Sequence, residues 1–438
     1  MSLKEHYDFL MEIKNTPGTN DKIDKLKEFL EDETFLRVIK FIYDSNYQYG
    51  IKKMPPMKRG FHTKGNKELF DLLELLATQK GTTNLDKAML VQLASIDQKT
   101  YDIVKMIVVK DCKCGFGVKS INKAKPNTVF SAPYMRCSTS KKINNIKYPA
   151  LVQEKADGCF VNFSTSKCEA RTRNWKAIHQ IEHITELFKD FPQHLMIHGE
   201  LLVKKNGKIL DRKTGNGILN SCLQGTADLK DAKNIICKVW DCISEKAFFE
   251  EVFNVSYIER WGKIKNIVHH INNDLFTAIE TEIVQNYEEA REFYDRMRAT
   301  NREGAIIKNY NGKWKFHNSP DMVKLKNIDT AEMRVVGWKY GKEDTRFSEM
   351  MGAVLVESED GKVKVSISGF SDEMRAMDWD EHIGKIISVD YEGLIKDKSS
   401  KCYSLYLPRR KKSQGKIDSL EFRFDKDHAD TLKDMLNR

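Results

Sequence analysis

The spacing of apolar positions changes twice along the chain. Up to about residue 125 it is helical: Ile23, Leu26 and Leu30 in DKIDKLKEFLED fall at i, i+3 and i+7, and Leu69, Leu72, Leu73 and Leu76 in KELFDLLELLAT make a second stripe. Pro17-Gly18, Pro55-Pro56 and Gly81 interrupt the pattern, which predicts a compact multi-helix domain rather than one long coil. From Val129 the runs shorten to strand length. ALVQEKADGCFVNFS alternates around Cys159, Val161 and Phe163, and LMIHGELLV, IICKVWDCI and EGAIIKNY are apolar stretches bounded by turn residues. A helical pattern, AIHQIEHITELFKDF, lies among them, so a mixed α/β domain is predicted. Beyond about Asn327 the runs are shorter still, in MRVVGWKYG, GAVLVES, VKVSISGF, IGKIISVDYEG and SLYLP, with turns at Asp360-Gly361 and Gly369. Five such strands predict a small barrel of the OB type. The expected organisation is multidomain α+β: a helical domain over 1–128, a mixed α/β domain over 129–328 and an OB-fold barrel over 329–438.

Composition narrows the class. A length of 438 residues suits about three domains. With 40% hydrophobic and 31% charged residues of both signs, the chain has material for several cores and is not of the disordered type. No apolar run approaches the 18 or so residues of a membrane helix. The opening MSLKEHYDFLMEIKN mixes acids and bases with its apolar residues, so no secretory leader is expected. Nine cysteines lie scattered without a CxxC pair, and Cys112 with Cys114 lack a companion cluster for zinc, which predicts reduced thiols in a cytosolic or nuclear compartment. Lysine plus arginine number 73 against 63 acids, a net +10 that suits an anionic partner. The excess is local: six lysines and one acid, Asp111, between Lys105 and Lys125, and six basic residues without an acid from Lys401 to Lys416. Lys113, Lys119, Arg409 and Arg410 are therefore candidate phosphate contacts, and Gly115 and Gly117 would let backbone N–H groups approach closely.

The chemistry is concentrated in Lys155-Ala156-Asp157-Gly158, at a junction between strands. Alone, such a motif matches by chance in about one chain in ten and reads as a surface turn. Behind it, in order, come His198-Gly199-Glu200-Leu201, Val239-Trp240-Asp241, Glu303-Gly304-Ala305-Ile306-Ile307-Lys308 and Lys324-Leu325-Lys326. This ordered set resembles the covalent nucleotidyltransferases, the superfamily of ATP-dependent DNA ligases, RNA ligases and mRNA capping enzymes. RNA ligases and capping enzymes tend to begin close to their nucleophilic lysine, whereas a long helical segment precedes Lys155. That segment is itself similar to phage-type ATP-dependent DNA ligases in FLRVIKFIYDSNYQYGIKK, in Lys110 to Gly115 and in PNTVFSAPYM, as is Asn216-Gly217-Ile218 with Asn220 and Gly225. The likeness runs from about residue 25 to 410.

The resemblance implies a DNA ligase working through a lysyl-AMP on Lys155, with ATP and Mg²⁺ as cofactors and nicked double-stranded DNA as partner. A monomer that encircles the duplex, in the cytoplasm of a bacterial or phage-infected host cell, is implied too. A free lysine is almost wholly charged at neutral pH, so positive charge from Lys324, Lys326 and Mg²⁺ is expected to help release its proton. Glu200 and Glu303 offer the hard carboxylate oxygens Mg²⁺ prefers. By the same likeness Asp157 meets the ribose or orients the metal site, Trp240 stacks on adenine, Gln153 reads the adenine edge and Arg173 meets phosphate. Two departures stand out: Phe160 occupies the arginine position of the usual KxDGxR, with Arg171 a possible stand-in, and His198 replaces the usual aspartate before Gly-Glu. The expected RxDK-like motif of the barrel is not cleanly placed; Arg409 to Lys412 follow the right strand, Asp418 is offset and Arg423-Phe424-Asp425-Lys426 comes late. The alternatives are an RNA ligase, a capping-type guanylyltransferase, or a DNA end-binding protein without turnover.

Overall fold

The structure, a computed structural model, describes residues 2–51, 53–57, 66–79, 81–300, 302–325, 329–343, 345, 347–391, 393–396, 401–411 and 422–436. They divide into two compact units, Met1–Leu325 and Lys326–Arg438. The first opens with helices Leu3–Asn15, Thr19–Phe29, Glu33–Tyr43, Asn66–Thr78, Asn84–Ala94, Gln98–Val109 and Val118–Ala124. Both stripes seen in the sequence are buried in one core: Leu26 and Leu30 from the first, Leu69, Leu72, Leu73 and Leu76 from the second. Side-chain caps fix where helices begin; Asp32 accepts from the Phe35 N–H, and Thr83 and Asp86 form a reciprocal capping box. Lys110 ends its helix in a left-handed turn and donates to the carbonyls of Phe41 and Asp44 at 2.9 and 2.8 Å. Burial pushes that ammonium down to about 8.

Two sheets follow. One is built from β1 (Arg136–Ser138), β2 (Ala150–Glu154), β10 (Thr281–Val284), β11 (Ala305–Asn309) and β13 (Asn318–Leu325), in the order β1-β13-β11-β2-β10. The other is built from β3 (Cys159–Ser164), β4 (Glu169–Arg171), β5 (Leu195–Lys205), β7 (Ile235–Ser244) and β9 (Phe276–Ala278), in the order β4-β3-β5-β7-β9, with β6 (Lys208–Ile209) paired to β5. A small ladder joins β8 (Val252–Phe253) to β12 (Trp314–Lys315). Alternation divides each sheet into a core face and a cleft face. In the first, Val152, Ile307 and Val323 pack against Ala290, Phe293 and Tyr294 of the helix Tyr287–Ala299. In the second, Val161, Ile197 and Val239 share a core with Trp261 and Ile264 of the helix Tyr257–Ile271.

The helical pattern at 177–191 is realised only as Glu182–Thr185 and a tighter turn, Glu186–Phe188. Gln180 accounts for the shortfall. Its backbone is left-handed, at φ 61°, and its carboxamide both donates to and accepts from the Ala227 backbone at 2.9 Å, so the chain cannot wind through it.

The second unit contains β14 (Asp329–Tyr340), β15 (Met351–Glu357), β16 (Lys364–Ile367), β17 (Ile386–Tyr391) and β20 (Arg409–Arg410) in the order β16-β15-β14-β17-β20, beside a hairpin of β18 (Leu394–Lys396) and β19 (Tyr403–Leu405). This half-barrel wraps Met333, Val354, Trp379 and Val389; four of the five predicted runs are strands of it, whereas SLYLP forms β19 of the hairpin. Within it Arg423 pairs with Asp425 at 2.7 Å and with buried Glu332, so the Arg423–Lys426 run helps to hold this unit together. Lys412, Lys416 and Asp418 lie outside the described residues. All nine cysteines are free thiols, five of them buried. No helix among the described residues is long and apolar enough to cross a membrane.

Candidate active site

The cleft faces of the two sheets line a cavity of about 1020 Å³. Strand register brings its residues together. Gln153 of β2 lies opposite Ile306 of β11, which lies opposite Lys324 of β13, and Lys308 follows two places on, so these side chains share one face. On the other sheet Phe160 of β3 pairs with Glu200 of β5, and Asn162 with His198.

Lys155 sits just past the end of β2. Its backbone N–H donates to the Gly304 carbonyl at 2.9 Å and its ammonium pairs with Glu303. Gly158 N–H donates to Glu200 at 3.1 Å. No larger residue fits there, because a Cβ on Gly158 would lie 2.0 Å from the Leu201 carbonyl oxygen. Asp157 pairs with Arg212 at 2.9 Å. Removal from water pushes the Glu200 carboxyl up to about 7; Glu303 and Asp157 add to this, while Lys155 and the Gly158 N–H oppose it.

Lys324 and Trp240 line the cleft as expected. Trp240 is the extra residue of a bulge in β7, since His198 pairs with Asp241 and Gly199 with Val239. Gln153 also lines the cleft, but it is only 1% exposed, accepting from the Tyr257 hydroxyl at 2.8 Å and donating to Thr281 Oγ1 at 3.0 Å. Arg173 is at the rim with its guanidinium 4.9 Å from the Tyr134 ring. Arg171 does not stand in for the missing arginine: it lines a separate cavity of about 350 Å³, bonded to Glu169 and to the Trp175 carbonyl. Lys326 lies outside the described residues. Of the basic candidates, Lys113, Lys119 and Arg409 are exposed, whereas Arg410 is 8% exposed and donates to the Gly369 carbonyl at 3.1 Å. Arg410 is thereby engaged inside its own unit. Gly115 has a left-handed backbone, and Gly117 precedes a helix with open space where a side chain would go.

The sequence places Lys308 at the end of the Glu303–Lys308 motif but assigns it no role, and it misses the groups beneath it. Lys308 is 2% exposed, donates to the Tyr257 hydroxyl at 2.9 Å and lies 6.0 Å from the Trp240 ring; burial pushes its ammonium down to about 8. The Tyr257 hydroxyl is also 2.6 Å from the Trp240 carbonyl. Below, Arg260 grips Asp241 at 2.7 and 3.1 Å, both fully enclosed, so losing either partner would cost about 3–5 kcal/mol. The available signal was a lysine closing an otherwise apolar strand.

Comparison with known proteins now decides the family. The pattern described as "ATP dependent DNA ligase domain" matches residues 131–326, and that described as "DNA ligase OB-like domain" matches residues 344–401. The chain belongs to the ATP-dependent DNA ligase family. This ligase is 28% identical to the DNA ligase of Enterobacteria phage T6 and 27% identical to that of Enterobacteria phage T4, each over 97% of both chains. Its fold resembles the solved chain "Pmar-Lig_Pre." with a TM-score of 0.73, at 20% identity over 96% of the ligase and 99% of that chain.

Proposed function

We propose that this ligase seals nicks in duplex DNA through an adduct on Lys155. Lys155 Nζ attacks the α-phosphorus of ATP; a P–N bond forms as the bond to pyrophosphate breaks. AMP then passes to the 5′-phosphate at the nick, making an anhydride, and the 3′-hydroxyl displaces AMP as the new phosphodiester forms. The observation carrying this reading is the seat of Lys155: a lysine between two sheets, paired with Glu303, beside Glu200, on the wall of a cleft large enough for a nucleotide.

The other roles follow from position. Trp240 offers a ring to adenine, Gln153 and Lys308 define the end of the base pocket, and Lys324 and Arg173 supply charge for phosphate oxygens. Asp157, held by Arg212, is offered to the ribose. Glu200 and Glu303 fit Mg²⁺. Among the described residues no three acids, histidines or cysteines gather as a metal site, yet Mg²⁺ characteristically takes one or two carboxylates and leaves its other positions to waters and substrate phosphates. A carboxyl held near 7 by burial is also one that a neighbouring dication would stabilise in its charged form. When bound, the ion would neutralise phosphate charge. A monomer enclosing the duplex is part of the same proposal, supported by the separate cores of the two units and by exposed Lys113, Lys119 and Arg409.

The test is incubation with α-labelled ATP or GTP and Mg²⁺, followed by nicked DNA or nicked RNA. The expected result is covalent label from ATP, lost in Lys155→Ala, and discharged by nicked DNA. Label from GTP alone would point to capping chemistry, and label that survives Lys155→Ala would overturn the nucleophile.

A further inference from the structure

Apart from Arg212, which holds Asp157, the helix Arg212–Gln224 has no assigned part in forming the adduct, yet it stands on the rim of the cleft. Its start is fixed by Asp211, whose carboxylate accepts from the backbone N–H groups of Lys213 and Thr214 at 3.0 Å. Its rotation is fixed by Leu219 and Cys222, which are buried in the core of the second sheet. Residues four apart then fall in line: Arg212, Asn216 and Asn220. The line starts at the reacting centre, where Arg212 pairs with Asp157 two residues from Lys155, and continues through Asn216 and Asn220 on the cleft wall.

Three features of this line suit a polynucleotide better than ATP. Its nine residues rise about 12 Å, long enough to meet more than one phosphate of a DNA strand. Its chemistry is that of backbone contact, since carboxamides donate to phosphate oxygens and also accept from donors, and arginine matches the phosphate fork. Acids are absent from it: residues 212–227 contain none, nor does the segment 172–178, which brings Arg173 and Lys176 to the same cleft. That segment is tied to the helical layer by Gln48, whose amide donates to the Asn174 carbonyl at 3.2 Å.

We infer that the Arg212, Asn216 and Asn220 line holds the sugar–phosphate backbone of the DNA strand that ends beside Lys155. Asn216 and Asn220 act in the two DNA-dependent steps and not in the attack on ATP. This deepens the proposed function and rests on it.

The test separates the half-reactions in the full chain. Asn216→Ala/Asn220→Ala should take label from ATP as the parent does, while single-turnover sealing of nicked duplex by the pre-labelled protein should fall about tenfold or more. Asn220→Asp is isosteric at an exposed position. Should the double variant fail to fold, it carries the test alone, its carboxylate slowing sealing at unchanged label. Sealing at the parental rate would overturn the inference, as would label falling in step with sealing, which would assign the line to ATP. A parent protein that takes no label would instead count against the ligase mechanism on Lys155.

Discussion

Glu200 carries two demands that pull against each other. It must hold the Gly158 N–H in place at 3.1 Å, and it sits where burial and two further acids make its charge costly. The folded carboxyl is pushed up to about 7, whereas a glutamate in an unfolded chain titrates near about 4.3. Between those values the folded protein keeps a proton that the unfolded chain has released, so stability falls as pH rises through that window. Glu200→Gln removes the titration and keeps an acceptor for Gly158. In buffer free of nucleotide and divalent cation, the variant should melt above its parent, and the gap should widen by about 2–4 °C from pH 5 to pH 8. A constant or narrowing gap would contradict the assigned shift.

At the scale of elements, the pairing of β3 with β5 explains the two departures in the motifs. Phe160 pairs with Glu200 and Asn162 with His198, so positions 160 and 198 are diagonal neighbours on one face, their rings 6.1 Å apart and inclined by 24°. Here a phenyl ring meets an imidazole that burial pushes down to about 4 and keeps neutral. The two departures therefore lie side by side in the fold. Phe160→Arg alone would set a cation against neutral His198, and His198→Asp alone would bury an acid against a ring; together they should recover stability. A double-mutant cycle in urea should give a favourable coupling of about 1 kcal/mol or more, and strictly additive losses would reject the pairing. This interaction was not legible in the chain, nor was the buried seat of Lys308. Strand alternation tells that Lys308 shares a face with Ile306, but not that this face is a cleft or that Tyr257 closes it from another helix. The same limit applied to Arg171, whose place in the sequence did not tell that it faces a separate cavity. Legible were the features that local order encodes: Lys155-Ala156-Asp157-Gly158 at a strand junction, Glu200 on a later strand, Glu303 just before another, and the helical, mixed and half-barrel texture. The helix expected over 177–191 failed for the opposite reason, since a distant residue, Ala227, offers Gln180 better bonds than helix continuation would.

For the whole molecule, the net charge of +10 predicts that duplex binding is driven largely by counterion release, so affinity should fall steeply with salt. The structure sorts the basic residues by exposure. Lys113 and Lys119 are exposed, whereas Lys110 in the same run is bonded to two backbone carbonyls, and in the second unit Arg410 is buried while Arg409 is exposed. Charge that is already engaged in the fold has few counterions to release. The contribution of a lysine should therefore follow its exposure rather than its place in a basic run. In anisotropy titrations of nicked duplex from 50 to 200 mM salt, Lys113→Ala/Lys119→Ala should flatten the log–log slope by about 2. Lys110→Met should leave the slope unchanged and lower the melting temperature instead, because the Phe41 and Asp44 carbonyls lose their donor. Equal slopes for all three proteins would detach the helical segment from DNA binding, and a slope change in Lys110→Met matching that of the double variant would mean that sequence charge alone, regardless of burial, sets the interaction.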